Sequence, residues 1–446
     1  MEIFELLTEL LRNKKWLELK EILTEMNEQD IAELFMELEE RDLTLIYRLL
    51  PKELAAEVFV NMEPEYQELL IRAFSDTELR EVLDELYVDD AVDLIEEMPA
   101  TLVKRILKHT DPDTRKSINE ILRYPEDSAG SLMTIEYVDL KRSMTVADAF
   151  TRIRRTGVDK ETIYTCYVTD SKRKLKGYVT VKDLLLADEN AEIREIMEDN
   201  VISVTTHEDK EIVADLFQKY DLVVLPVVDN ENRLVGIITV DDAIDVLQEE
   251  ITEDMELMAG ITPTDKPYLK MSVFENFKKR IPWLMLLMVS ATFTEKIITH
   301  FEGALTSCVV LTAFIPMLTG TCGNCGNQSS STIIRGISLG EIEFEDTFKV
   351  IFKEFSIAIF CGVALAIVNF LKLMIFNDIG WKIAFVVSIT MIAAVVFAKV
   401  VGSILPVIAK KIGFDPAVMS SPFISTIVDA VTLLIYFAIA SSLLNL

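Results

Sequence analysis

Histidine is almost missing from this chain of 446 residues: His109, His207 and His300 are its three. Cysteine is nearly as scarce, at Cys166, Cys308, Cys322, Cys325 and Cys361. An odd, thin cysteine count builds no disulfide framework and suits a reducing compartment for any soluble part. Cys322-x-x-Cys325 has no second cysteine pair and no histidine nearby, so a four-ligand zinc site or a redox motif is disfavoured. No nucleophile and base stand in a readable arrangement, which argues against an enzyme. The Gly-x-x-x-x-Gly-Lys-Ser/Thr phosphate cradle of many pump ATPases is absent as well. Positive charge is in short supply. With 44 Lys+Arg against 73 Asp+Glu, the net charge of −29 excludes nucleic acid or an anionic lipid surface as the main partner. The opening stretch MEIFELLTELLRNKKW lacks the basic start and unbroken apolar run of a signal peptide. Its Ile3, Phe4, Leu6, Leu7, Leu10 and Leu11 spacing predicts an amphipathic helix instead.

What is present divides in two. Residues 271–446 hold 12 basic and 11 acidic side chains, about +1, so residues 1–270 hold the other 32 and 62, or −30. Residues 1–124 read as short helices with acidic outer faces, each apolar stripe followed by Pro51, Pro64, Pro99 or Pro112. Proline is pre-organised for a helix start, so helix, turn and next helix repeat. Helices of about ten residues bury no face alone, and an α-solenoid is expected. Residues 125–245 change character. "YVTDSKRKLKGYVTVKD" (167–183) and "VVDNENRLVGIITVDD" (227–242) align without a gap, 59 residues apart, as a duplicated β-β-α unit around Gly177 and Gly236. This resembles a tandem pair of CBS domains, which implies an α/β regulatory sensor. A long acidic helix is expected at about 240–259, closed by Gly260 and broken by Pro263 and Pro267.

Five apolar segments follow, at about 281–299, 303–320, 350–376, 380–409 and 417–444, in a chain whose bilayer crossing needs about 20 such residues per helix. Lys278, Lys279, Arg280, Arg335, Lys349, Lys353, Lys410 and Lys411 flank one side, and Lys296, Lys372 and Lys382 the other. The positive-inside rule places the larger set in the cytoplasm. Residues 1–280 are then cytoplasmic in a multi-pass (inner) membrane protein, and five crossings put Leu446 outside. Lys399, within the fourth segment, is expected to snorkel toward the inner surface.

Three features can carry chemistry. Asp429 lies near the middle of the last apolar segment, where an ionisable group costs roughly 2.5–3.5 kcal/mol even on mild scales, so it is expected to face inward. Ser425 and Thr426, with Ser421 and Pro422 a turn earlier, place hydroxyls on its face; a structural Asp bonded to a neighbouring helix is the alternative. "GTCGNCGNQSSSTIIRG" (320–336) is rich in glycine, amide and hydroxyl groups, and reads either as irregular backbone lining a watery cavity or as an ordinary loop. The third feature is the acid excess, clustered at Asp89, Asp90 and Asp93 and along the connector helix at Asp241, Asp242, Asp245, Glu249, Glu250, Glu253 and Asp254. Most of these acids simply solvate a surface. Those repeating at i+3 and i+4 beside a sensor repel one another unless cations bridge them, and hard divalent cations prefer carboxylates and water.

Taken together, "GNCGNQSSSTIIRG", the Arg-Ile-Pro-Trp at 280–283 and "DPAVMSSPFISTIVD" ending at Asp429 resemble the MgtE family of magnesium channels along essentially the whole chain. The resemblance implies a helical, solenoid-like N domain (1–124), tandem α/β CBS domains (125–245), a connecting or plug helix (246–268) and a five-helix all-α membrane domain (269–446). It implies a homodimer with a pore lined by the second and fifth helices of both subunits. Asp429 would be the pore carboxylate holding hydrated Mg²⁺, with Ser425 and Ser421 beside it, Ser421 standing where Asn is common. Glu57, Asp89, Asp93, Glu211, Asp221, Asp242, Asp245, Glu250, Glu253 and Asp254 would be cytosolic Mg²⁺-sensing positions. Lys182 and Asp183 fall where some relatives bind ATP. The expected function is passive, voltage-driven Mg²⁺ uptake closed by cytosolic Mg²⁺. A proton- or sodium-coupled secondary transporter and a membrane sensor without flux are the alternatives.

Overall fold

The computed structural model describes residues 2–444 apart from Asp265, Pro267, 377–379 and Ser420, and leaves out the side chains of residues 2–5, Thr8, Asp159 and Ser421. The expectations for Pro267 and Leu446 lie outside the described residues. Two compact units divide the chain, Met1–Leu247 and Gln248–Leu446.

Ten short helices open the first unit: α1 (Glu2–Arg12), α2 (Trp16–Glu25), α3 (Glu28–Met36), α4 (Glu40–Tyr47), α5 (Lys52–Val60), α6 (Pro64–Ala73), α7 (Asp76–Leu83), α8 (Val88–Glu97), α9 (Ala100–His109) and α10 (Pro112–Ile121). The prolines act as read from the sequence: Pro64 and Pro112 open their helices, and Pro51 and Pro99 sit in the cap positions just before theirs. Each helix turns one apolar stripe inward, as with Ile31 and Phe35 or Leu70 and Ile71, and full burial of such a side chain contributes about 1.5–3 kcal/mol. Packing runs largely to the next helix but one, with α3 on α5, α5 on α7, α7 on α9, and α4 on α6. Arg105 fastens this stack by donating to the Ile71 and Phe74 carbonyls, at 2.5 and 2.6 Å, which satisfies carbonyls at the end of α6.

The duplication is visible in detail. β1 (Asp139–Lys141) runs parallel to β2 (Thr165–Thr169), which pairs antiparallel with β3 (Leu175–Thr180); β4 (Val204–Thr205), β5 (Val224–Val228) and β6 (Leu234–Thr239) repeat the arrangement. Both hairpins bulge at the same register, Val168/Thr169 and Val227/Val228, and turn through left-handed residues 59 apart, Arg173 at φ 63° and Asn232 at φ 62°. Each turn donates to the other: the Leu175 amide bonds the Asn232 carbonyl and the Leu234 amide the Arg173 carbonyl, both at 3.0 Å. Glycine is required twice for one reason. A Cβ at Gly177 would lie 2.6 Å from the Glu198 carbonyl oxygen, and one at Gly236 would lie 2.8 Å from that of Thr134; a crossing segment presses on each hairpin at this point. Helices α11 (Val146–Thr156), α12 (Val181–Leu186), α13 (Ile193–Ile196) and α14 (Lys210–Tyr220) cover the sheets.

The long helix α15 (Val240–Met258) follows, and Gly260 at φ 69° closes it. The second unit then carries α16 (Val273–His300), α17 (Glu302–Ser307), a 3₁₀ stretch (Val309–Phe314), α18 (Ile315–Ser338), α19 (Thr347–Phe376), α20 (Trp381–Lys411) and α21 (Ser421–Leu444). Among the described residues, five runs are long and apolar enough to cross a membrane. α18, α20 and α21 pack on one another, α19 lies along α20, and α16 lies along α21. The second run departs from the sequence reading, because it spans Val309–Ser338 rather than ending near residue 320. The stretch 320–336, expected as irregular backbone or loop, is continuous helix. Its glycines serve close approach instead. A Cβ at Gly326 would meet Ile424 Cγ2 at 2.8 Å, and one at Gly402 would lie 2.3 Å from the Gly326 carbonyl oxygen, so the backbones of α18 and α20 meet directly.

Candidate functional site

Asp429 sits two turns into α21, half-buried. At 100° per residue Ser425, Asp429 and Thr432 share one stripe, and Thr432 is fully buried. This stripe meets α18. The Asn327 side-chain amide donates to Ser425 Oγ at 3.4 Å, and a Cβ at Gly323 would have Ser425 Oγ as its nearest neighbour, 3.8 Å away. Cys322 lies within electrostatic reach of Asp429. Asn327 Oδ1 and Ser330 Oγ are buried without a hydrogen-bond partner among the described residues. The result is a polar seam that includes a carboxylate, an amide and several hydroxyls between two membrane-length helices, a composition suited to holding water around a cation. Thr426 does not join it, since its hydroxyl bonds back to the Pro422 carbonyl at 3.0 Å. The side chain of Ser421 lies outside the described residues. All five cysteines are free thiols, Cys322 and Cys325 buried, and among the described residues no three His, Cys, Asp or Glu side chains are grouped to hold a metal ion.

Lys399 corrects the sequence reading. It does not snorkel: it is 4% exposed in the interior between helices. Its ammonium donates to Ser329 Oγ at 3.2 Å, Ser329 Oγ donates to Glu354 Oε2 at 2.6 Å, and the ammonium stands 3.8 Å from that carboxylate. Snorkelling is the default for a lone Lys near a span's end; a buried counter-charge on another helix overrides it, and residues 45 apart in the chain do not reveal that partner.

The first unit holds a second constellation. Asp89, Asp90 and Asp93 on α8 all feel the charge of Asp242 at the start of α15, and Asp89 and Asp90 also interact with Glu161 after α11. Burial is the leading cause of the raised affinity for protons at every one, and the charges that act most strongly on them are all negative. Asp89 is pushed well above the usual carboxylate range by burial, then by Asp90, Asp242 and Glu161. Asp90 rises to about 6 and Asp93 to about 7, with Asp242 the main charged contributor to both. Glu161 rises to about 7, with Asp90, Asp241, Asp242 and Glu136 adding to burial. Asp242 reaches about 6 although Thr239 Oγ1 donates to it at 2.8 Å. Asp93 is solvent-exposed and forms the open edge of the cluster. Asp245 is also raised, by burial and then Asp241. Of the acids singled out from the sequence, Asp89, Asp90, Asp93 and Asp242 belong to this cluster, and Asp245 lies a turn further along α15. Glu161 carries no sequence pattern of its own and joins only through tertiary placement.

The remaining expected positions stand elsewhere. Glu57 is exposed on α5. Glu211 and Asp221 lie at opposite ends of α14, about 15 Å apart along its axis, and Asp221 is its left-handed C-cap at φ 51°. Glu250 and Glu253 lie on the second half of α15. Asp254 accepts from Ser338 Oγ at 3.3 Å and is raised by burial and then by Asp415. Lys182 is exposed, and Asp183 closes a capping box with Thr180 through one carboxylate oxygen, Oδ2, at 3.1 Å from the amide and 2.5 Å from the hydroxyl.

Comparison with known proteins follows the same partition. Residues 315–439 match a family described as a divalent cation transporter, residues 8–127 the MgtE intracellular N domain, and residues 129–190 and 193–249 the CBS domain. The chain is 38% identical over 435 residues to the magnesium transporter MgtE of Thermus thermophilus, spanning 96% of this chain and 95% of that one. It is 32% identical over 448 residues to the magnesium transporter MgtE of Bacillus subtilis, spanning 98% and 96%. Among solved structures, the cytosolic domain of the Mg²⁺ channel MgtE in complex with ATP aligns with a TM-score of 0.52 at 42% identity, over 54% of this chain and 98% of that one. These whole-length relatives are transporters rather than enzymes. Five membrane-length helices, an intracellular N-terminal domain, two CBS units and relatives aligned end to end agree: the chain belongs to the MgtE family of divalent cation transporters.

Proposed function

We propose that the chain is a Mg²⁺-selective channel, working as a homodimer in the cell (inner) membrane, through which Mg²⁺ enters passively. The observation that carries this reading is Asp429 on the polar seam between α18 and α21. Magnesium sheds water reluctantly and demands near-octahedral geometry. A lone carboxylate flanked by the Asn327 amide and the Ser425 hydroxyl suits outer-sphere contact with the hydrated ion, and a two-fold axis would double it. Ser421 is assigned to the same pore stripe. Voltage supplies the drive: roughly 2.3 kcal/mol per charge per 100 mV is about 4.6 for a divalent ion. Residues 1–280 belong to the cytoplasm and the C-terminus to the outside.

Closure is assigned to cytosolic Mg²⁺. The acids Asp89, Asp90, Asp93, Glu161 and Asp242, whose raised proton affinities mark mutual repulsion, would be neutralised by a hard divalent cation acting through its water shell. Asp245, Glu250, Glu253 and Asp254 on α15 are assigned as further sensing acids, and Glu57, Glu211 and Asp221 to bridging sites that a second subunit would complete. Ions bridging these acids hold the N domain (1–124), CBS pair (125–245) and plug helix (246–268) in the arrangement that shuts the pore domain (269–446). Nucleotide is placed at the first CBS unit, where Lys182 offers a cation and Asp183 Oδ1 remains for a ribose hydroxyl.

Patch-clamp recording of Asp429→Ala in liposomes tests the reading. Loss of Mg²⁺ current with wild-type folding supports it. Undiminished current overturns the pore assignment, and flux that follows a pH or Na⁺ gradient at zero voltage transfers the protein to the coupled transporters.

A further inference from the structure

The buried charges of the membrane unit are not used by the seam just described. Lys399 on α20, Glu354 on α19 and Ser329 on α18 are 4%, 7% and 1% exposed, and their polar atoms form one connected cluster. Ser329 Oγ is its centre, donating to Glu354 at 2.6 Å and accepting from Lys399 at 3.2 Å. A hydroxyl with one hydrogen and free lone pairs is suited to that double role. Three different helices therefore end in a single ionic knot.

Its position relative to the seam is informative. Ser329 follows Asn327 by two residues, so at 100° per residue the two side chains leave α18 about 160° apart. Asn327 reaches forward to Ser425 on α21, whereas Ser329 reaches backward to α19 and α20. One turn from the knot on each helix, Gly326 and Gly402 bring the backbones of α18 and α20 together so closely that a Cβ on Gly402 would lie 2.3 Å from the Gly326 carbonyl oxygen. Small-residue contact fixes how near two helices come, yet glycine has no side chain to fix how each is turned. The knot supplies the missing constraint. We propose that Lys399, Ser329 and Glu354 form a three-helix clamp that sets the rotation of α18 about its axis and so presents Asn327 and Gly323 to the stripe carrying Ser425 and Asp429.

These are positioning residues for ion passage, and the proposal rests on the pore reading of that seam. A buried ion pair broken at one partner leaves an uncompensated charge, whereas exchanging both charges keeps the clamp. The test uses the full-length protein reconstituted in liposomes, with single-channel recording in mixed Mg²⁺ and Na⁺. Lys399→Met and Glu354→Gln are expected to lower Mg²⁺ conductance about fivefold or more and to reduce the Mg²⁺:Na⁺ permeability ratio. The cytosolic Mg²⁺ needed for closure should stay unchanged, and the exchange Glu354→Lys/Lys399→Glu should restore both properties. Ser329→Ala keeps both charges and removes only the bridge; it should shift the permeability ratio in the same direction, and it provides the readout if the charge variants fail to assemble. A wild-type permeability ratio in Ser329→Ala together with Lys399→Met overturns the clamp, as does a ratio held constant while current falls only with the amount of folded protein. If Asp429→Ala abolishes current while these variants behave as wild type, the clamp alone fails; if Asp429→Ala conducts normally, the pore reading fails first.

Discussion

Asp242→Asn should make the Mg²⁺-free protein more stable, not less, although Asp242 is proposed to help bind a cation. Asn is nearly isosteric and still accepts the Thr239 hydroxyl that bonds Asp242 at 2.8 Å, so the helix cap survives. What disappears is a negative charge whose carboxyl sits at about 6 instead of 3.8. Two units at 1.36 kcal/mol each set an upper bound of about 3 kcal/mol at neutral pH. Part of that is desolvation that Asn shares, so about 1–2 kcal/mol of relief remains. The sign follows from proton counting. Between the unfolded and folded values, roughly pH 4 to 6, the folded chain holds more protons than the unfolded one, so wild-type stability declines as pH rises through that window. The deficit is full above it, close to half at pH 5 and nearly gone below pH 4. Thermal unfolding of the full-length protein in EDTA at pH 7.5 is the assay. At about 2–4 °C per kcal/mol for a unit of this size, Asp242→Asn should melt about 2–8 °C higher than wild type, with the gain roughly halved at pH 5 and the additional stabilisation by Mg²⁺ diminished. A variant that melts lower in EDTA at pH 7.5, or a gain that does not shrink with acid, would show that the carboxylates around Asp242 do not repel as described.

Two more substitutions address other parts of the chain. Asp89→Asn removes the most enclosed acid of the cluster and is expected to raise the cytosolic Mg²⁺ needed for half-closure about tenfold, equal to roughly 1.4 kcal/mol; inhibition curves recorded in inside-out patches measure it, and superimposable curves count against the sensor assignment. Gly236→Ala forces a Cβ against Met133 Sδ at 2.6 Å and the Thr134 carbonyl at 2.8 Å. It should cost about 1–3 kcal/mol, read as a lower melting temperature at unchanged Mg²⁺ conductance per folded channel.

The order of the domains was legible because each has its own period. Prolines after apolar stripes marked a run of short helices, and the 59-residue offset marked the duplicated CBS units, whose hairpins turn through Arg173 and Asn232. Hydropathy set five crossings, and the lone charge at Asp429 in the last of them pointed to the seam. The second crossing was misjudged at its boundary because Gly, Asn and Ser are poor helix formers in water. Inside a packed bundle the same small residues favour helix, since backbones can close on them and every amide bonds within the segment. The ionic knot and Glu161 were invisible for a different reason: their partners lie on separate elements, and neither hydropathy nor periodicity encodes which acid meets which base or acid across a fold.

On the proposed sensor reading, the same carboxylates would take up either a divalent cation or protons, and this constrains how such a sensor would work. With Asp90 and Asp242 near 6 and Asp93 and Glu161 near 7, the cluster is partly protonated just below neutral pH. Proton and cation then relieve one repulsion in two ways, so each must weaken the other's binding. Acid alone should favour the compact arrangement of the first unit, while the Mg²⁺ concentration needed to add further stabilisation should rise. A set of exposed surface acids with ordinary values would show neither effect above pH 5. The packing of α8 near the start of α15 thus moves the titration of these acids into a range where a small change in bound positive charge alters the free energy of the fold.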